Sequence, residues 1–200
     1  MKILLVDNYD SFVYNIVGLL QQCRRLMGDI EWDIAMNDNI PIEHLNMYDA
    51  VILSPGPGLP AEAGDLMKLI GLCVETHPVL GICLGCQAIA EYYGAKLSQL
   101  TMPRHGHVSQ LCGIVPDDRL LGPYAGVGIQ VGRYHSWVID ELTVGKDSGL
   151  EITSRDEEGN VMSIAHSQLP VYGLQFHPES VNTPEGLSIL LRFLSVCRSS

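Results

Sequence analysis

Short apolar runs alternate with segments of helical period through the first half of the chain. KILLV (2–6), AVILS (50–54) and PVLGI (78–82) are nearly unbroken apolar stretches, and EWDIA (31–35) adds a fourth strand signal. Runs of this kind are expected of strands covered on both faces. Between them Val13, Ile16, Val17, Leu20, Cys23 and Met27 recur at helical spacing. Asp10 or Ser11 is placed to cap that helix and Gly28 to stop it. Ala63, Leu66, Met67, Ile70, Cys73 and Val74 mark a second helix, and a third is expected from about Gly85 to Tyr93. Repeated β-α-β units predict an α/β fold with a mostly parallel sheet and helices on both faces.

The texture changes near residue 95. GVGIQV, WVID, EITSR, VMSIAH and VYGLQF are short runs separated by turn residues, which predicts a β-rich extension, antiparallel in part. A last helix is expected near the end, with Thr183 as its cap, Pro184 in its first turn, and a stripe of Leu187, Leu190, Leu191 and Leu194. No linker, repeat or low-complexity tract interrupts the chain. One domain over 1–200 is the expected organisation.

Apolar residues make up 46% of the 200 residues, enough for a sizeable core. The net charge is −11 and no basic run occurs, which argues against nucleic acid or an anionic membrane surface as partner. The first apolar run is too short for a signal peptide, and no stretch approaches the roughly 20 residues of a membrane span. A soluble, cytoplasmic chain is expected. A disulfide framework among the six cysteines is therefore not.

Cys83 and Cys86 form a C-x-x-C, which suits a redox pair, half of a zinc site, or one nucleophile beside an unrelated neighbour. Cys83 also lies between a strand and a helix, flanked by Gly81 and Gly85. That is G-x-C-x-G, the thiol form of the nucleophile elbow. A side chain on such a turn is held outward at the C-terminal sheet edge, where α/β ligand sites form. The helix N-terminus favours thiolate, and the Leu84 N–H can donate to an oxyanion. Zinc would require two further ligands at similar spacing. Cys86 reads as a small side chain packed behind the nucleophile.

A thiol nucleophile needs a base. Among seven histidines, His177 stands out in GLQFHPES, because a strand ends there and Glu179 follows two residues on. In an extended chain such residues share a side, so Glu179 can orient the imidazole and His177 can take the Cys83 proton. LSPGPGLP, after the third strand, fixes an irregular loop at the same sheet edge. There Gly56 and Gly58 leave backbone N–H groups accessible.

DNYDSF (7–12), LSPGPGLPAEAG (53–64), GICLGCQAIAEYYG (81–94), RYHSWV (133–138) and GLQFHPESV (173–181) together resemble the class I, triad-type glutamine amidotransferases. The resemblance is closest to the small subunits of anthranilate synthase and aminodeoxychorismate synthase. It spans nearly the whole chain and implies a flavodoxin-like core. It also implies Cys83 as nucleophile, His177 as base, Glu179 as third triad member, and Gly56 and Leu84 as oxyanion-hole donors. Gly56, Pro57, Gly58, Gln87, Ser136 and Trp137 are the implied contacts to L-glutamine. Gln87 and the 136–137 backbone would hold its α-amino and α-carboxylate groups.

The implied partner is a chorismate-binding synthase subunit, faced by DNYDSF. No cofactor is implied in this chain, and Mg²⁺ is expected on the partner. Three positions depart from the family pattern: Cys86 where His or Met is usual, Trp137 where Leu is frequent, and His107 in RHGH (104–107).

Overall fold

The computed structural model describes residues 1–199, apart from the side chain of His105. Ser200, the last residue of the expected domain, and the His105 side chain of RHGH lie outside the described part.

The first half forms β1 (Lys2–Asp7), α1 (Val13–Met27), β2 (Glu31–Met36), β3 (Ala50–Leu53), α2 (Leu66–Cys73), β4 (Val79–Ile82) and α3 (Leu84–Tyr92). The second half forms β5 (Leu97–Cys112), β6 (Gln130–Ile139), β7 (Leu150–Asp156), β8 (Val161–His166), β9 (Val171–Leu174) and α4 (Gly186–Ser199). One nine-stranded sheet results, in the order β2-β1-β3-β4-β9-β8-β7-β5-β6. The strands from β2 to β9 run parallel, and the pairs beyond β9 are antiparallel.

Alternation along β1 divides the core. Ile3 and Leu5 share a cluster with residues of α1 and α4, whereas Leu4 and Val6 share one with residues of α2 and α3. The two clusters lie on opposite faces of the sheet, as period 2 requires. Among the described residues, no helix is long and apolar enough to cross a membrane.

Three local expectations are corrected. The N-cap of α1 is Phe12. The Asp10 carboxylate instead accepts the Phe12 N–H at 2.7 Å, one turn before the helix. Thr183 does not cap α4: its hydroxyl donates to the His177 carbonyl at 2.7 Å and accepts the Gly132 N–H at 2.9 Å. GVGIQV and WVID are not separate strands either, because β6 runs unbroken from Gln130 to Ile139. Its long partner, β5, spans 16 residues that show no strand period in the sequence.

β4 and β9 are neighbours, with Ile82 opposite Leu174. That register brings the turn after β4, which holds Cys83, beside the segment after β9, which holds Gln175 and His177. The loop after β3 opens at the same edge.

Candidate active site

β4 ends at Ile82 and α3 begins at Leu84, so Cys83 alone reverses the chain. Its φ of +52° and ψ of −101° are rarely adopted by residues with a side chain. The flanking glycines answer to steric need. A Cβ on Gly81 would lie 2.4 Å from the Gly85 carbonyl oxygen, and one on Gly85 would lie 2.6 Å from that of Leu53. Leu84 is the first helical residue, and its N–H has no carbonyl one turn back to bond. Gly56 sits against it: a Cβ there would fall 2.6 Å from both Leu84 Cδ2 and Asn8 Cβ. Gly58 has a φ of +73°.

Cys86 faces elsewhere. It is fully buried, and its sulfur would lie 2.7 Å from a Cβ on Gly173 in β9. Burial first, and then Cys83, pushes its thiol well above the usual range. Both cysteines are free thiols.

His177 and Glu179 meet across a tight turn rather than along an extended chain, which corrects the expected geometry. The Ser180 N–H donates to the His177 carbonyl at 3.2 Å, with Pro178 and Glu179 between. Proline suits the second position of such a turn. Glu179 Oε1 lies 2.6 Å from His177 Nδ1, and both side chains are buried. Phe12 and Tyr134 pack their rings 5.5 and 4.9 Å from the imidazole. Nε2 is buried without a partner at hydrogen-bonding geometry.

Burial opposes charge on this imidazole. The Glu179 carboxylate and the nearby Cys83 sulfur outweigh it, so the His177 pKa is raised well above its ordinary value.

A cavity of about 220 Å³ opens in front of the sulfur. Gly56, Pro57, Gly58, Gln87, Ser136 and Trp137 all line it, as do Cys83, Tyr134 and His135. Leu84 and Glu179 stand behind this wall, one beside Gly56 and one behind His177. The expected site residues therefore converge on one place.

The backbone at 136–137 is partly engaged within the protein. The Trp137 carbonyl accepts Gln87 Nε2 at 2.9 Å and also contacts His135 Nδ1 at 2.9 Å. Both of its lone pairs are used inside the protein. Ser136 falls where the β5–β6 register shifts between Gln99 and Arg104, so its backbone has no partner residue across the ladder.

Behind the cavity, Arg133 donates from Nε to His135 Nε2 at 3.1 Å, which leaves Nδ1 as the protonated nitrogen. Burial, then the Arg133 charge, pushes the His135 pKa down to about 3, so this imidazole is neutral. Arg133 also pairs with Asp156, and both side chains are fully buried. Breaking such a pair leaves an uncompensated charge, so Asp156→Leu is expected to destabilise the fold by about 3–5 kcal/mol. Urea unfolding should show a large loss for Asp156→Leu and substantial recovery in the Arg133→Met/Asp156→Leu double variant.

Residues 4–197 match the class-I glutamine amidotransferase family. The chain belongs to that family. This amidotransferase is 38% identical over 212 residues to an anthranilate synthase component 2 of Leptospira biflexa, covering 98% of this chain and 100% of that one. It is 37% identical over 199 residues to the bifunctional protein TrpGD of Thermotoga maritima, covering 98% of this chain and 32% of that one. An aminodeoxychorismate synthase of Streptomyces griseus is 38% identical over 200 residues, covering 96% of this chain and 26% of the relative. The amidotransferase thus spans under a third of these last two. A solved glutamine amidotransferase from Thermotoga maritima superposes with a TM-score of 0.80, covering 100% of this chain and 99% of that one. At 15% identity that likeness concerns the fold alone.

Sequence reasoning missed Tyr134 and His135 as cavity walls and Gln175 altogether. For Gln175 the signal was a polar residue inside the apolar run VYGLQF.

Proposed function

We propose that this chain is the glutaminase subunit of an anthranilate synthase, working in the cytoplasm. One observation carries the proposal: Cys83 lines one cavity with Gly56, Gln87 and Ser136, and the buried His177–Glu179 pair lies beside it. The full-length match to anthranilate synthase component 2 supports the same reading.

Cys83 as thiolate attacks the side-chain carbonyl carbon of L-glutamine. The oxyanion is met by the N–H groups of Gly56 and Leu84, each such donor being worth about 3 kcal/mol. As the C–N bond breaks, the His177 imidazolium gives its proton to nitrogen and ammonia leaves. A γ-glutamyl thioester remains on Cys83. Water adds to it as His177 takes the water's proton, the C–S bond breaks with its electron pair returning to sulfur, and glutamate departs.

In this reading ammonia passes to chorismate on a separate synthase subunit, which also carries the Mg²⁺. The Streptomyces griseus relative favours a second reading, supply of ammonia to aminodeoxychorismate synthesis.

Reconstitution distinguishes the two. Mixed with an anthranilate synthase chorismate subunit, chorismate, Mg²⁺ and glutamine, the chain should yield fluorescent anthranilate. Product only with the aminodeoxychorismate subunit would select the second reading. No glutamate release with either subunit would overturn both.

A further inference from the structure

The Trp137 carbonyl can only accept, so the amide atom facing it at 2.9 Å must be the nitrogen of Gln87. The same nitrogen faces the Gln175 side chain at 3.1 Å, and the atom it meets must therefore be the oxygen. Gln175 is thereby turned so that its own nitrogen points at Cys83 Sγ, 3.7 Å away. One backbone carbonyl fixes the sense of both amides, and Gln175 is a donor to sulfur by necessity. Gln175 is fully buried, so this orientation is not traded for water.

We infer that Gln175 is a functional residue for the Cys83 chemistry, holding the sulfur as thiolate through its side-chain N–H. The inference rests on the amidotransferase reading above. A donor to the charged form favours that form, and the thiolate is the reactive species. His177 supplies a proton that must leave during the reaction, whereas the Gln175 amide keeps its own. It therefore still addresses the sulfur when the thioester C–S bond breaks and the electron pair returns there. Gln87 has two tasks: it faces the cavity and it sets the direction of Gln175.

The test needs no glutamine and no partner. Iodoacetamide alkylation of Cys83 is followed against pH by fragment-ion mass spectrometry, which separates Cys83 from Cys86. Gln175→Met removes the donor at similar size. Gln175→Glu keeps the contact to Gln87 but turns a carboxylate oxygen to the sulfur. The midpoint should move to higher pH by about one unit in Gln175→Met, slowing alkylation at neutral pH about tenfold. It should move further in Gln175→Glu.

Either variant decides the matter if it melts as the parent does. An unchanged alkylation profile in that variant overturns the inference, whatever the glutaminase activity. A shifted profile supports it, even in a chain that releases no glutamate, where the functional reading alone would fall.

Discussion

Cys83→Ser is expected to lower glutamine-dependent product formation by the reconstituted complex by at least about 10⁴-fold, leaving ammonia-dependent formation intact. Serine fits the space of cysteine, so the turn after β4 should survive. Its hydroxyl is a far weaker nucleophile than a thiolate, and no thioester can form. Added ammonia bypasses the cavity, so the partner's chemistry continues. The neighbouring Cys86→Ser is the control. That sulfur is fully buried and faces β9. Its loss should alter the rate by only a few fold, with a stability cost of about 1–3 kcal/mol for burying a hydroxyl. A complex in which Cys83→Ser stays active on glutamine while Cys86→Ser does not would reverse the assignment.

Glu179→Gln is expected to cost about 10³-fold or more in glutamine-dependent rate, by loss of the group that orients and charges the imidazole. Burial is the largest influence on His177 and disfavours its charge, and Glu179 is the first of the groups opposing it. Without the carboxylate, burial dominates and the proton needed by departing ammonia is lost. The alkaline limb of the pH–rate profile should move to lower pH.

Stability follows the same linkage. The folded pKa of His177 lies above its unfolded value, so the pair's contribution is complete below about pH 6.5 and fades as pH rises through the folded value. Glu179→Gln should flatten that dependence in melts taken across pH. An unshifted profile at parental rate would remove Glu179 from the mechanism.

The parallel half of the fold was legible because strands buried on both faces leave apolar runs. Residues 3–6, for example, are all fully buried. β5 was not legible. It carries Pro103, Gly106 and a largely exposed polar surface, and its pairing with β6, and at its end with β7, makes it a strand. The elbow could be read from Gly81, Cys83 and Gly85 because a turn this tight leaves no room for side chains beside the nucleophile, Gly81 lying against Gly85 and Gly85 against the Leu53 carbonyl. The Arg133–Asp156 pair could not, since it depends on register between strands distant in sequence. Thr183 misled for a related reason. A residue suited to capping was taken up instead by the turn that holds His177.

The backbone at Cys83 is held where a side chain is costly. A φ of +52° beside ψ of −101° is ground that glycine occupies without strain. A lineage shaped only for persistence of the fold would therefore drift to glycine at residue 83. A thiol kept there records a compromise, in which durability is given up at one residue so that a reactive sulfur can stand clear of the sheet.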